Sequence, residues 1–233
     1  MLELSHICKR YRHGAQRVEV LREISLQVHE REVVAVWGAR HSGRSTLLRI
    51  AAAIQAPDSG VVRFRGRALT PGGGAIEGGI AYCSPTLQSP GARAVLEELI
   101  AAQLALGVAR AGARARALQA LQRAGATHCE DRRPCELNRA EAVRMAIARA
   151  LLQEPSLLVI DEPTTGVEPV ERDRILELLR SLTEEGIAVL MSLDKGIGLY
   201  FADRALSLGE GRLRGHLAPE VAEVVPLPLR ASG

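Results

Sequence analysis

The octet Gly38-Ala39-Arg40-His41-Ser42-Gly43-Arg44-Ser45 lies between a nearly unbroken apolar run, Glu32–Trp37 (EVVAVW), and a helix-forming stretch, Ser45–Gln55 (STLLRIAAAIQ). An apolar run of that length reads as a strand covered on both faces, the mark of a parallel sheet with helices packed on each side. The octet fills the phosphate-loop frame GxxxxGK[ST] except at Arg44, where the frame has lysine. In such a loop successive backbone N–H groups turn inward to form an anion nest at a helix N-terminus, and that machinery does not depend on the side chain at position 44. Ser45 offers the hydroxyl that such loops use on Mg²⁺. Arg44 keeps the positive charge but carries it on a planar, longer head, so charge is conserved and placement is not.

A second element has the same chemistry. Ser156–Ile160 (SLLVI) reads as a buried strand ending in Asp161-Glu162. Carboxylates at a strand end hold Mg²⁺ and polarise the attacking water in phosphate-loop nucleotidases. The local alternative is that these acids merely cap the next segment. Loop and acids together, both at C-terminal ends of buried strands where open α/β sheets bind ligands, favour nucleotide binding.

Around these elements the chain reads as strands at Leu2–Cys8, Val18–Val28, Val61–Phe64, Gly79–Cys83 and Ala188–Ser192, a helix at Val170–Glu185, and a short β pair near Ala205–Leu208 and Arg212–His216. The first two alternate apolar and polar residues, as half-exposed antiparallel strands do. Residues 85–153 are rich in Ala, Leu, Arg and Glu and read as a helical insert. The expected fold class is therefore α/β: a parallel sheet core of the phosphate-loop nucleotidase type, an antiparallel β subdomain and an inserted all-helical lobe. The expected divisions are 1–84 for the first part of the core with its β subdomain, 85–153 for the helical lobe, 154–216 for the second part of the core, and 217–233 for a tail without clear pattern.

Composition narrows the partners. Thirty basic residues against 27 acidic ones are spread along the chain, and only 3% of residues are aromatic, so neither a basic block nor a stacking platform for nucleic acid is expected. The N-terminal segment has no apolar signal region, and no run approaches ~18 uncharged apolar residues, so the chain is expected neither to be exported nor to span a membrane. Cys8, Cys83, Cys129 and Cys135 form no CxxC pair, and Cys129 beside His128 lacks metal-ligand spacing; free thiols in a reducing compartment are expected.

The order of loop, helical lobe, Arg133–Pro163 (RPCELNRAEAVRMAIARALLQEPSLLVIDEP) and Thr164-Thr165-Gly166-Val167-Glu168-Pro169 resembles an ATP-binding cassette (ABC) ATPase over residues 1–216. Within that family it is most similar to cassettes of the lipoprotein-releasing and macrolide-exporter class. The resemblance implies ATP and Mg²⁺ as ligands. Gly38 to Ser45 with Thr46 would bind the phosphates, Tyr11 would stack on adenine, Ser45 and Asp161 would hold Mg²⁺ (Asp161 through water), and Glu162 would be the catalytic base. Asn138 and Arg139, in Leu137–Glu141 where the family has LSGGQ, would face the nucleotide of a partner cassette.

Several positions depart from the family pattern. The third loop glycine is His41, the phosphate lysine is Arg44, a glutamine that senses Mg²⁺ falls at Pro85 with Gln88 three residues late, the γ-phosphate-sensing histidine is Leu193, and the acid before Pro169 is Glu168 rather than Asp. Asn138 with Glu141 three residues on also reads as a plain capping box. Arg139 in the first turn opposes the helix dipole and would be better tolerated facing an anion. The resemblance thus implies a degenerate ATP-binding subunit, peripheral on the inner face of the cell membrane. It would dock by its helical lobe onto an integral membrane subunit and pair with a second cassette, non-identical and with intact motifs. Two alternatives stay open: an active transport ATPase with Glu162 as base, and an ATP-dependent regulator that moves no substrate.

Overall fold

The computed structural model describes residues 1–14, 16–72, 79–84, 93–194, 196 and 198–216. In chain order the elements are β1 (Leu2–His13), β2 (Gln16–Val28), β3 (Val33–Trp37), α1 (Arg44–Ala51), β4 (Ser59–Phe64), β5 (Arg67–Ala68), β6 (Ile80–Cys83), α2 (Val95–Ala105), α3 (Arg110–Arg123), α4 (Arg139–Leu151), β7 (Leu157–Ile160), α5 (Pro169–Glu184), β8 (Ala188–Leu193), β9 (Arg204–Gly209) and β10 (Arg212–His216). Among the described residues they form two sheets. One is antiparallel in the order β2-β1-β4-β5; the other runs β10-β9-β3-β8-β7-β6.

In the second sheet β3, β6, β7, β8 and β9 are parallel, and β10 returns antiparallel on β9. The two-residue period of a strand sends alternate side chains to opposite faces. Val33 and Ala35 of β3, Leu158 and Ile160 of β7, and Val189 and Met191 of β8 enter one core with α2, α3, α4 and α5. Val34, Val36, Leu157, Val159, Ala188 and Leu190 enter a second core with α1 and the antiparallel sheet. Both faces are dry, which is why these strands read as continuous apolar runs. Residues 205–208 and 212–216 do pair as expected, but β9 also adds in parallel to β3, so the pair extends the central sheet.

Two boundaries differ from the sequence reading by more than two residues. β1 continues to His13 rather than stopping at Cys8, because the β1–β2 register shifts between Leu4 and Arg10, with His6 at φ 52° and Glu23 at φ 50°. Such bulges break strict alternation and hide a strand's continuation. α1 ends at Ala51 rather than at Gln55; Ala53 adopts φ 54°, which turns the chain out of the helix.

The described part of the helical lobe is held by small-residue packing. Ala113, Ala117, Ala120 and Leu121 of α3 are buried in the core that also takes Val95, Leu96 and Leu99 of α2. Gln103, buried among them, donates to Leu152 O at 3.2 Å and accepts from Arg116 at 3.4 Å. α4 starts in a reciprocal cap: Glu141 N–H donates to Asn138 Oδ1 at 2.9 Å and Asn138 N–H to Glu141 Oε2 at 2.8 Å. Arg132 adds a 2.7 Å bond to Glu141 Oε1. Among the described residues no helix is long and apolar enough to cross a membrane. Because the Asn138 cap satisfies an orphan N–H at the head of α4, Asn138→Ala is expected to cost about 1 kcal/mol. For a chain of this size that lowers the midpoint of thermal unfolding by roughly 2–4 °C, readable by calorimetry or circular dichroism.

Candidate active site

The loop between β3 and α1 takes its path from two backbone requirements. Gly38 passes so close to β9 that a Cβ there would lie 2.3 Å from Leu208 O, and Gly43 stands at φ 102° with a Cβ position 2.7 Å from Val20 Cγ1. Non-glycine residues cannot meet either demand without strain. His41, at the position of the missing third glycine, adopts φ 63° in the left-handed region that His enters more readily than most residues. Ser42 N–H donates to Ala39 O at 3.2 Å, and Leu47 N–H to Gly43 O at 2.9 Å. The N–H groups of the first helical turn have no intrahelical partner.

The cleft over this loop has a volume of about 780 Å³ and is lined by Tyr11, Val20, Arg40, His41, Ser42, Gly43, Arg44, Ser45, Thr46, Arg49, Gln55 and Glu162. Most of the expected ligands therefore come together from β1, the loop, α1 and the end of β7. Gly38 and Ala39 shape the loop from behind without lining the cleft. Arg49 and Gln55 are additions. Arg49 follows Ser45 by one helical turn and donates Nε to its carbonyl at 3.2 Å. Gln55 donates to Tyr11 OH at 2.5 Å, and that hydroxyl lies 3.3 Å from Thr46 Oγ1. The periodicity of α1 was a usable signal for Arg49; nothing in the sequence marked Gln55, which reaches the site from the turn after the helix.

These contacts hold the partly exposed Tyr11 ring at the mouth of the cleft. Burial raises the Tyr11 phenol, but the bonds to Thr46 and Gln55 and the charges of Arg49 and Lys9 leave it below the usual tyrosine value. Arg40 and Arg49 make the wall cationic, and His41 adds a polar ring to it. Ser42 Oγ is buried there with no hydrogen-bond partner among the described residues, as a donor suited to a phosphate oxygen.

The two acids are oriented by a residue that the motifs did not single out. Ser192, fully buried in β8, donates Oγ to Asp161 Oδ1 at 2.6 Å and accepts from Glu162 N–H at 2.9 Å. That second bond supports Glu162 at φ 52°, a left-handed conformation costly for a non-glycine residue. A single hydroxyl inside the run AVLMSL was the available signal. Asp161 lies just beneath the cleft without lining it, and its Oδ2 accepts from Tyr82 OH at 3.4 Å. Burial, then the Asp161 charge, pushes the Tyr82 phenol up to about 12, so it remains a donor at neutral pH.

Arg44 does not project along the loop. Its buried guanidinium donates Nη1 to Leu193 O and Nη2 to Glu162 Oε1 at 2.7 Å, with Asp194 Oδ1 at 3.7 Å. The Leu193 side chain is fully buried in the core. Pro85 and Gln88 lie outside the described residues. Asn138 and Arg139 do not line this cleft; Arg139 Nε donates to Thr165 O at 2.9 Å, which seats the head of α4 on the segment after Glu162. His128 Nε2, Cys129 Sγ and a Glu141 oxygen come within 4.8 Å of one another despite their sequence spacing, but both Glu141 oxygens are engaged by the cap and by Arg132.

A loop of this form between a buried strand and a helix, with acids at the end of a neighbouring parallel strand, defines a phosphate-loop nucleotidase site. Residues 21–165 match the family model described as ABC transporter. A putative ABC transporter ATP-binding protein of Methanosarcina acetivorans is 33% identical over 230 residues, 94% of this chain and 68% of that protein. The lipoprotein-releasing system ATP-binding protein LolD of Chromohalobacter salexigens is 33% identical over 222 residues, 91% of this chain and 92% of that protein. The dimeric, post-hydrolysis structure of the ATP-binding cassette MJ0796 with ADP and Pi superposes with a TM-score of 0.83 at 24% identity, over 94% of this chain and all of that one. The chain belongs to the ABC transporter family, as its ATP-binding cassette.

Ser192→Ala would strand Asp161 Oδ1 and the Glu162 N–H in a buried setting. The expected loss is about 2–4 kcal/mol in denaturant unfolding, because two buried partners go unsatisfied at once. ATP at about 100 times its Kd should stabilise the wild-type chain by about 2.7 kcal/mol, raising the melting temperature by roughly 5–11 °C. Gly43→Asp, a carboxylate in the anion nest, should abolish that ligand-induced shift; its own lower baseline follows from the Val20 clash, so the shift against that baseline is the quantity to read.

Proposed function

We propose that this chain is a degenerate cassette that binds Mg-ATP and hydrolyses it poorly or not at all. The observation that carries this reading is the pairing of Arg44 with Glu162. A base useful for activating water has to be directed at the reacting centre. Here Glu162 Oε1 accepts a charge-assisted bond from Arg44, and Thr165 Oγ1 donates to Oε2 at 3.3 Å. The polar group expected at position 193 is a leucine whose side chain faces the core.

Binding is supported by what remains. The loop amides, the unpartnered Ser42 hydroxyl, the Ser45 and Thr46 hydroxyls and the cationic wall suit a polyphosphate. Ser45 and Asp161 suit Mg²⁺, with Asp161 acting through water because its oxygens already accept from Ser192 and Tyr82. Bound there, the ion would neutralise phosphate charge. Tyr11, held by Thr46 and Gln55, offers a ring face for adenine.

In this reading the chain works with a second, non-identical cassette whose motifs are intact, and with an integral membrane subunit contacted through the helical lobe, at the inner face of the membrane. Exposed Leu104 and Leu106 at the end of α2 support an apolar docking face, since exposed apolar clusters mark interfaces. Asn138 and Arg139 would serve the partner's nucleotide, Asn138 through the amide nitrogen that its cap leaves free. Hydrolysis by the pair then belongs to the partner's site. The active-ATPase alternative keeps one observation in its favour, the Glu162 carboxylate in the cleft.

Loss of one oriented electrostatic group costs ~10²–10³ in rate. The isolated chain at saturating Mg-ATP is therefore expected to release phosphate below about 0.01 s⁻¹, against the roughly 1–10³ s⁻¹ of ordinary enzymes. Turnover near 1 s⁻¹ that Glu162→Gln abolishes would reinstate Glu162 as a working base.

A further inference from the structure

β1 and β4 last pair at Cys8 and Ser59, so residues 9–13 of β1 are paired with β2 alone, as a two-stranded ribbon that runs on past β4. A lone ribbon of two strands is marginally stable by itself. Tyr11 sits on this arm, opposite Val18, and lines the mouth of the cleft. A ring that serves as a stacking surface binds best when its orientation is fixed before the ligand arrives, because ordering it on binding costs affinity. The arm alone does not supply that order.

The segment after α1 supplies it. Asp58 pins the root of the arm: its N–H donates to Cys8 O at 2.9 Å, and its carboxylate accepts from Lys9 Nζ at 2.8 Å and from Arg10 N–H at 2.7 Å. Three residues earlier, Gln55 reaches the ring. Its backbone N–H donates to Arg49 O at 3.2 Å, which ties it to the end of α1, and its Nε2 donates to Tyr11 OH at 2.5 Å. A hydroxyl that accepts one bond keeps its own proton for another, and Thr46 Oγ1 lies 3.3 Å away. The phenol is thus gripped between the two ends of α1, by Thr46 in its first turn beside Ser45 and by Gln55 beyond its last.

Resting on the reading of Tyr11 as the ring face for adenine, we infer that Gln55 is the positioning residue of the nucleobase end of the cleft: it holds the Tyr11 hydroxyl, and through it the ring, where a base can stack. Its effect is selective. Loss of Gln55 lowers the part of the affinity that comes from the base and spares the part that comes from the phosphates, so this side chain sets how well the chain tells a nucleotide from an inorganic polyphosphate.

The test is calorimetric titration of the full chain with Mg-ATP and with Mg-tripolyphosphate, which shares the phosphates and lacks the base. Stacking of a base on an aromatic side chain should make the wild-type chain bind ATP tighter by about fivefold or more. Gln55→Leu should weaken ATP by about fivefold, the worth of one hydrogen bond, and leave tripolyphosphate within about twofold of wild type. Gln55→Ala, which seats no new side chain, repeats the measurement should the leucine variant fail to fold. In a Tyr11→Phe background, where the ring remains and the hydroxyl is gone, the same change at Gln55 should alter ATP affinity by no more than about twofold, because the two residues act as one unit. An ATP affinity that survives the loss of Gln55, an equal loss for both ligands, or a full loss in the Tyr11→Phe background overturns the inference while leaving nucleotide binding intact. A wild-type chain that binds tripolyphosphate as tightly as ATP removes the adenine reading of Tyr11, and one that binds neither removes the nucleotide-binding reading itself; the inference falls with either.

Discussion

A parallel sheet dry on both faces is the constraint from which the rest of this molecule follows. Parallel strands need crossovers, and crossovers put helices on both faces; here α1 and the antiparallel sheet close one side while α2 to α5 close the other. The polar ends of the strands are then the place where the sheet meets solvent. β3 delivers the loop, β7 the two acids, and β8 the Leu193-Asp194 pair, and β8 lies between the other two. The Arg44 side chain alone spans those three ends.

Local electrostatics decide how that reach is used. A helix N-terminus, three arginines and a histidine converge on one cleft, with Glu162 the one acid among the described residues of its lining. Phosphate binding at a helix N-terminus needs little more than such a field. Hydrolysis needs a carboxylate that is anionic, free and aimed. Ser192 aims Glu162 and Arg44 occupies one of its oxygens, the contact on which the proposed loss of hydrolysis rests.

The fold was legible because the buried strands are short apolar runs and the helices carry Ala, Leu and Arg in helical proportion. Where the reading slipped, backbone geometry was the reason. Bulges near His6 and Glu23 hid the second half of β1, and a left-handed Ala53 ended α1 early. The loop was legible in the same way, because Gly38 and Gly43 are demanded by close approaches to Leu208 and Val20 and not by chance composition. Gln55 and Ser192 were not legible as site residues. Each acts through a partner remote in sequence, Tyr11 for one and Asp161 and Glu162 for the other.

By itself the sequence determined that the chain carries a nucleotide loop, strand-end acids and a run of substituted motif positions, since these depend on residue identity and spacing along one strand or turn. It also determined that α4 begins at a capping box, a contact three residues long. Only the tertiary structure decided where the charge of Arg44 goes. The choice between phosphate and Glu162 depends on the separation of two residues 118 apart in the chain, brought within 2.7 Å by the stacking of β3, β8 and β7. A guanidinium that is buried must find its acceptors among whatever groups the fold brings alongside it.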